Sequence, residues 1–180
     1  MIRGIHILGA SGSGTTTLGQ TLERKHGYKW MDTDDYFWFP TPQPYTTKRP
    51  HAERVPLIMQ GIKGNPKWVI TGSLCGWGDA LIPHFDLVVL LSVVTAIRIE
   101  RINARDKARW GDRIASGGDM YVNHLEFIEY SRNYDVMQPP NRCRVLHEEW
   151  LARLDCPILR LDGSKPIEDL MKEIEKHLIF

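Results

Sequence analysis

Five short apolar runs are spaced along the chain, at residues 2–8, 28–31, 68–71, 86–91 and 157–161. The fourth run, DLVVLL, is apolar almost throughout, which is typical of a central strand buried on both faces. Helices are predicted between the runs, over residues 17–26, from about 50 to 59, 79–82, from 95 onward, about 120–137, 141–154 and 167–178. Strands that alternate with helices in this way predict an α/β fold built on an open sheet.

A glycine-rich loop, GASGSGTT at residues 9–16, joins the first predicted strand to the first helix. Glycines allow successive backbone N–H groups to turn toward an anion, and the helix N-terminus adds the positive end of its dipole. The spacing G-x-x-x-x-G-x-[ST] is that of the P-loop, in which the hydroxyl of Thr16 would ligate Mg²⁺. The predicted phosphate-binding residues are Gly9, Ser11, Gly12, Ser13, Gly14, Thr15, Thr16 and Thr17.

The lysine that follows the last loop glycine in a P-loop is replaced here by Thr15. That lysine reaches the outer phosphates as a point charge, so phosphoryl transfer would need a cation from elsewhere. Other interpretations are a plain surface turn, a dinucleotide-binding turn of a reductase, with Asp32 about twenty residues on, and a sulfotransferase loop. The strict G-x-G-x-x-G pattern is absent, and so is the basic residue that usually precedes the sulfotransferase Ser-Gly-Thr-Thr.

Composition narrows the class of protein. At 180 residues with a formal net charge of +1, the chain is expected to form one domain over 1–180, without a nucleic acid or membrane partner. The three cysteines are scattered, the apolar run at 87–94 is too short to span a bilayer, and residues 2–8 show no export signal. We therefore expect a cytoplasmic protein; the sequence gives no indication of its oligomeric state.

Acidic residues follow the second predicted strand, in the sequence DTDD at 32–35. Carboxylates at the carboxyl end of a strand point into the crevice where ligands bind in open α/β sheets. Asp32 is a candidate to hold Mg²⁺ through water, and Asp34 to orient or deprotonate an acceptor hydroxyl. The alternative is that one of them caps the following helix.

Aromatic and basic side chains surround a proline-rich loop at 40–44. They could stack on a base or sugar and bind an acidic group, or they could seal a small helical flap against solvent. A further glycine-bearing loop at 72–78 follows the third strand, and its tryptophan would overhang a bound ligand. The candidate substrate-binding residues are Asp32, Asp34, Tyr36, Trp38, Arg49, Arg54, Gly72, Ser73 and Trp77.

Arginines recur every four residues after the fourth strand, at Arg101, Arg105, Arg109 and Arg113, and would share one helix face. Such a stripe can be a solvated face balanced by nearby carboxylates. It also suits a clamp on transferring phosphates, with glycines at 111, 117 and 118 as hinges. The first three are candidate catalytic residues together with Asp34.

These motifs resemble those of the P-loop small-molecule kinases, a group that includes adenylate, shikimate and gluconate kinases. The resemblance covers nearly the whole chain and is carried by the segments 9–16, 32–35, 71–78, 98–113 and DGSKP at 162–166. It implies a three-layer fold with a five-stranded parallel sheet in order 2-3-1-4-5, helices on both faces, a substrate flap at about 36–64 and a lid at about 101–119. It also implies that Gly163, Lys165 and Pro166 lie near the adenine. The lysine-free loop is similar to that of a bacterial subgroup often labelled adenylate kinase or AAA family ATPase.

The function predicted from these features is an ATP- and Mg²⁺-dependent kinase acting on a small molecule, with a nucleoside, a nucleotide or a similar hydroxyl or phosphate compound as acceptor. Two departures from the family pattern are Thr15 and the lack of an aspartate at the end of the third strand. The alternative is a nucleotide-binding protein that lost catalysis with its lysine. A sulfotransferase and an NAD(P)-dependent reductase are the remaining alternatives.

Overall fold

The computed structural model describes residues 2–178. Its elements, in chain order, are β1 (Gly4–Gly9), α1 (Thr15–His26), β2 (Lys29–Asp32), α2 (Thr33–Phe37), α3 (His51–Lys63), β3 (Trp68–Thr71), a 3₁₀ helix (Asp79–His84), β4 (Leu87–Ser92), α4 (Thr95–Trp110), a 3₁₀ turn (Gly111–Ile114), α5 (Tyr121–Arg132), a 3₁₀ turn (Asn133–Asp135), α6 (Arg144–Leu151), β5 (Ile158–Asp162) and α7 (Ile167–Leu178).

All five strands form one parallel sheet in the order β2-β3-β1-β4-β5. The first strand is central: Ile5 lies opposite Val69 of β3 on one side and Leu87 of β4 on the other. Parallel strands require crossover connections, and the helices between the strands supply them. The predicted fold class and strand order are therefore confirmed.

The core is divided into two layers by the sheet, because neighbouring residues of a strand point to opposite faces. Ile5 and Ile7 pack on one face with apolar residues of α1 and α7, among them Leu18 and Leu170. Leu8 packs on the other face with residues of α3 and α6. Helices cover both faces, so the strand ends at the carboxyl edge are the open part of the sheet.

His6 is a polar residue in the middle of this core, fully buried in β1. Its ring stacks on Phe85 at 5.1 Å between centroids and meets the edge of Trp150 at 5.0 Å. Its Nε2 is hydrogen-bonded to the carbonyl oxygen of Gly72 at 2.9 Å, while Nδ1 has no partner among the described residues. Burial lowers the pKa of His6 to about 4, so the ring is neutral at physiological pH.

Two predicted helices are shorter than the sequence pattern indicated. The helix expected over 120–137 ends at Arg132, because Arg98 donates to the Ser131 carbonyl and to Asp135, which holds the next residues in a 3₁₀ turn. The helix expected over 141–154 begins only at Arg144 and ends at Leu151. The sulfur of Cys143 accepts a hydrogen bond from the Leu146 N–H, which fixes the later start.

Among residues 2–178, no helix combines the length and hydropathy that a membrane span requires.

Candidate active site

The phosphate loop, residues 9–16, turns tightly between the end of β1 and the start of α1. Gly12 and Gly14 adopt left-handed backbone angles, with φ of 81° and 97°. A Cβ on Gly12 would lie 2.5 Å from the Arg98 carbonyl oxygen, so a larger residue cannot be accommodated without a shift of the backbone. The first turn of α1 carries no acidic side chain, and its N-cap is Gly14. The positive end of the helix is therefore open to an anion.

Ser13 contributes a second feature of this loop. Its hydroxyl is buried, with the residue 1% exposed, and has no hydrogen-bond partner among the described residues. Its backbone N–H donates to the Ala10 carbonyl at 3.1 Å, which closes the turn. A buried hydroxyl without a partner is uncommon in folded proteins, and the geometry of the loop suits a polyphosphate.

Thr16 and Asp32 bring the phosphate loop and the end of β2 together. The Thr16 hydroxyl donates to Oδ2 of Asp32 at 3.2 Å, and Oδ1 of Asp32 accepts the Asp34 N–H at 3.0 Å. Asp32 is thus the N-cap of α2 and also faces the loop. Burial, reinforced by the negative charge of Asp34, raises the pKa of Asp32 to about 6. A hydroxyl beside a carboxylate that lacks a cation is a suitable donor set for Mg²⁺.

Within residues 2–178 there is no cluster of three or more histidine, cysteine or acidic side chains that could enclose a metal ion. Mg²⁺ bound at Thr16 and Asp32 would complete its coordination with phosphate oxygens and water, as this ion commonly does.

Asp34 lies in the first turn of α2, next to this pair. Its carboxylate is accessible, but the surrounding walls reduce its solvation and raise its pKa. The guanidiniums of Arg142 and Arg105 act in the opposite direction. A carboxylate near two cations at the edge of the phosphate loop is suitably placed to orient an acceptor.

The three candidate arginines of α4 all have partners. Arg101 donates to the Gly163 carbonyl at 2.9 Å, linking α4 to the last loop. Arg105 is paired with Asp106 at 2.7 Å. Arg109 donates to the hydroxyl of Tyr45 at 3.0 Å. The prediction that Arg113 continues their helical face is wrong, because α4 ends at Trp110, ahead of a glycine with a φ of 53°.

The predicted flap, residues 36–64, already touches the predicted lid, residues 101–119. Besides the bond from Arg109 to Tyr45, Arg113 donates to the Pro42 carbonyl at 3.3 Å. The side-chain amide of Gln43 donates to the carbonyl of Asp119 and to the side chain of Asn123. These contacts bring the tip of the flap and the lid together.

Two of the candidate substrate-binding residues are placed differently from the sequence prediction. Trp77 does not overhang the cleft: it is 6% exposed, packs in the core, and donates from Nε1 to the Ser73 carbonyl. Arg54 is also buried, with its guanidinium over the ring of Phe37 at 3.9 Å. It donates two hydrogen bonds to the Arg49 carbonyl, so it mainly fixes the start of α3.

The other aromatic residues of the flap mostly pack against one another. The Trp38 ring contacts the rings of Phe37 and Tyr45, and the backbone N–H of Trp38 donates to the Asp34 carbonyl at 3.0 Å. Tyr36 is partly buried beside the core, and Arg49 lies over the ring of Phe39. This arrangement agrees with a sealed flap, one of the two interpretations that the sequence left open.

Gly72 and Ser73 lie at the carboxyl end of β3, beside Thr33. A Cβ on Gly72 would collide with the Thr33 hydroxyl, and the backbone φ of 108° also disfavours a side chain. Both close packing and backbone conformation therefore require glycine at this position. The Ser73 hydroxyl is hydrogen-bonded to Nε2 of His147 at 3.1 Å, and Nδ1 of His147 to the hydroxyl of Tyr134 at 2.8 Å. This chain of three side chains fixes the orientation of Ser73.

The last loop packs directly against the phosphate loop. A Cβ on Gly163 would lie 2.7 Å from the Ser13 carbonyl oxygen, and the Gly163 N–H donates to the Ser92 carbonyl. Lys165 and Pro166 are exposed just beyond it, at the start of α7. Of the three predicted residues of this loop, Gly163 therefore lies directly beside the phosphate loop.

Arg142 is a site residue that the sequence analysis missed. Its Nη2 donates to the hydroxyl of Ser11 in the phosphate loop at 2.7 Å. The residue follows Pro139 and Pro140 in an irregular segment without a recognisable motif. The contact joins residues 131 positions apart, and no local pattern indicates a contact of that kind.

Comparison with known proteins gives one family and several structures. The model of the AAA domain family matches residues 5–116. The chain is 38% identical over 178 residues to the uncharacterized protein YqaC of Bacillus subtilis (strain 168), covering 99% of this chain and 98% of that protein.

Two solved structures are similar in fold. The unliganded crystal structure of a sugar kinase from Janibacter sp. HTCC2649 has a TM-score of 0.54 at 17% identity, over 99% of this chain and 95% of that one. The deoxyadenosine kinase from M. mycoides with bound dATP has a TM-score of 0.57 at 14% identity, over 97% and 98%. At these identities the matches establish the fold alone, and they confirm the predicted fold of P-loop small-molecule kinases.

Proposed function

The chain belongs to the AAA domain family, and on that premise we propose that it is an ATP- and Mg²⁺-dependent phosphotransferase acting on a small molecule. The acceptor in this proposal is a nucleoside, a nucleotide or a similar compound with a hydroxyl or phosphate group. Residues 1–180 act as one domain, with 36–64 as the substrate flap and 101–119 as the lid.

One observation carries the proposal: the pair of Thr16 and Asp32 lies at the N-terminus of α1, directly beside the phosphate loop. Backbone N–H groups and a helix dipole attract phosphate, while the hydroxyl and the carboxylate attract a divalent cation. The two requirements for holding a metal–nucleotide complex therefore meet at one end of the sheet.

Each side chain has a distinct role in the transfer. The loop fixes the phosphates, and Thr16 and Asp32 hold the metal, which when bound neutralises charge on the phosphate oxygens. Asp34 orients the acceptor and takes the proton of a hydroxyl acceptor. Arg101, Arg105 and Arg109 turn toward the phosphates when the lid closes and stabilise developing charge.

The nature of the acceptor is open between two chemical classes. A hydroxyl acceptor needs Asp34 as a base, because its proton must leave as the new bond to phosphorus forms. A phosphate acceptor needs no base but needs cations, and the proposed flap carries Lys48 and Arg49. The Asp34→Asn variant distinguishes the two, since it should abolish transfer to a hydroxyl and largely preserve transfer to a phosphate.

The experiment that tests the proposal measures ATP consumption in the presence of Mg²⁺ against a panel of nucleosides, nucleotides, sugars and hydroxy acids. Stimulation by at least one compound, lost on removal of Mg²⁺, is the expected result. A thermal shift with ATP and Mg²⁺ but no consumption with any compound would favour the second candidate, a nucleotide-binding protein without catalysis. Thr15 in place of lysine is the observation that favours this second candidate.

The Thr15→Lys variant separates these two functions further. If the loop has decayed, the restored lysine should raise transfer activity; if the site has been rebuilt around other cations, the added charge should lower it. Binding of PAPS or NAD(P)H instead of ATP in the thermal shift would favour a sulfotransferase or a reductase, respectively.

A further inference from the structure

Arg142 is held in place at both its main chain and its side chain. The hydroxyl of Tyr130 donates to the Arg142 carbonyl oxygen at 3.1 Å, and the next residue, Cys143, is the buried N-cap of α6. The guanidinium donates to the Ser11 hydroxyl at 2.7 Å. A partly buried side chain held at both ends loses little further conformational entropy when it binds a ligand.

The contact point on the phosphate loop is informative. Ser11 is the third residue of the loop sequence GASGSGTT, four residues before α1 begins at Thr15, and it is partly exposed. The Ser11 hydroxyl accepts a hydrogen bond from one of the five N–H groups of the Arg142 guanidinium. The remaining donors of the fork stay available for phosphate oxygens, a geometry that guanidinium matches well.

The other cations near the loop have main-chain or carboxylate partners. Arg101 donates to the main-chain carbonyls of Gly163 and, at 3.5 Å, of Gly12 in the loop itself. Arg105 is paired with Asp106. Among residues 2–178, Arg142 is the one cation hydrogen-bonded to a side chain of the phosphate loop. Its positive charge also lowers the pKa of Asp34.

We propose that Arg142 supplies the positive charge that the phosphate loop lacks at Thr15, by donating from its guanidinium to the outer phosphate oxygens of ATP during transfer. The inference rests on the proposed function and names a residue of that same site, outside the predicted lid. Arg142 already contacts a side chain of the phosphate loop, whereas Arg105 and Arg109 are bonded to Asp106 and Tyr45.

The transfer step is balanced without a further reactant. The bond between the γ-phosphorus and the oxygen that bridges it to the β-phosphate breaks, and ADP leaves with that electron pair. An acceptor oxygen forms the new bond to phosphorus, and the proton of a hydroxyl acceptor passes to Asp34. Arg142 remains protonated throughout and stabilises the charge that spreads over the transferred group.

The test compares Arg142→Gln with Arg142→Lys in the full chain. Glutamine keeps a hydrogen-bond donor for Ser11 but removes the charge, and lysine keeps the charge. Arg144→Gln is the matched control, because Arg144 lies two residues away, is exposed, and contacts Asp135 at a distance of 4.0 Å rather than the phosphate loop. Turnover of ATP, the dissociation constants of ATP and ADP, and the melting temperature are measured for each.

The expected result is a loss of about 10³-fold in turnover for Arg142→Gln, with a smaller loss for Arg142→Lys and none for Arg144→Gln. ATP affinity should fall more than ADP affinity, because the outer phosphate is absent from ADP. Adding Thr15→Lys to Arg142→Gln should recover at least about tenfold of the lost turnover, which a purely structural role of Arg142 does not predict.

Equal turnover of Arg142→Gln and Arg142→Lys would overturn the inference, and so would equal losses in ATP and ADP affinity. If Arg142→Gln does not fold, the turnover of Arg142→Lys tests the proposal instead. A folded Arg142→Lys protein with less than about a thousandth of wild-type turnover would show that positive charge at this position is not sufficient, which overturns the inference. If the unchanged protein neither binds ATP nor consumes it, the proposed function itself fails. If it is active and Arg142→Gln is equally active, this inference alone is wrong.

Discussion

Adding a single methyl group to Gly12 tests the shape of the phosphate loop. The new Cβ would lie 2.5 Å from the Arg98 carbonyl oxygen, and the backbone φ of 81° disfavours any side chain. The left-handed conformation costs about 1 kcal/mol, and displacement of the adjoining backbone costs roughly 2 kcal/mol more. We expect the Gly12→Ala protein to lose about 3 kcal/mol of its free energy of unfolding.

Gly27→Ala is the matched control for this variant. Gly27 also has a positive φ, of 66°, but a Cβ there would meet only the end of the Lys67 side chain at 3.8 Å. Its expected loss is about 1 kcal/mol, from backbone conformation alone. The difference of roughly 2 kcal/mol between the variants therefore isolates the collision in the loop.

Urea denaturation followed by fluorescence measures both variants, since the midpoint shifts while the slope stays constant if only stability changes. Titration with ATP and Mg²⁺ should show that Gly12→Ala weakens nucleotide binding at least about tenfold and that Gly27→Ala does not. Equal losses of stability in the two proteins would refute the described seating of the loop against α4. Unchanged nucleotide affinity in Gly12→Ala would refute its role in binding.

Three further predictions address the core, the metal and the lid. Because the pKa of His6 is about 4 in the folded protein and its reference value is 6.5, the unfolded chain binds a proton at higher pH, and stability falls as pH drops from about 6.5 to 4. The free energy of unfolding lost through His6 is about 3 kcal/mol over this range. Denaturation curves at a series of pH values should show that the stability of His6→Leu depends less on pH than that of the wild-type protein. The same pH dependence in both proteins would contradict the prediction. Thr16→Val removes the hydroxyl that donates to Asp32, so the Mg²⁺ concentration for half-maximal activity should rise at least about tenfold. Nucleotide binding without Mg²⁺ should change little. An unchanged Mg²⁺ requirement would exclude Thr16 as a ligand. Arg105→Ala and Arg109→Ala should lower turnover by about 10³-fold with little change in nucleotide affinity, and wild-type turnover in both would contradict the lid clamp.

The sheet was predictable because local sequence decides its strands. Residues 68–71 are a compact apolar run between turn residues, and the strand lies at Trp68–Thr71. The helix that begins at Thr95 was equally clear from its apolar spacing. By contrast, the end of α5 depends on Arg98, a buried guanidinium that holds Ser131 and Asp135 from another part of the chain.

The candidate site was predictable in its main-chain part and much less in its side chains. The phosphate loop follows from glycine spacing, and Asp32 is the helix cap that the sequence offered as an alternative, while its hydrogen bond with Thr16 joins parts of the chain that no local pattern connects. The burial of Trp77 was not predictable, because a tryptophan after a glycine turn can point to either side of the sheet. No local sequence pattern identifies Arg142 as a site residue, since its partner Ser11 is 131 positions away in the sequence.

The contacts at the tip of the flap have a consequence for how substrates would enter the proposed site. Three exposed hydrogen bonds join the flap to the lid, made by Gln43, Arg109 and Arg113, and a fourth runs from Gln43 to Asn123 just beyond the lid. Exposed bonds of this kind contribute about 0.5 kcal/mol each, so separating the flap from these partners would cost roughly 2 kcal/mol. Lids that open at such a cost commonly do so within microseconds to milliseconds. Opening of the proposed lid is therefore not expected to limit the rate of phosphoryl transfer.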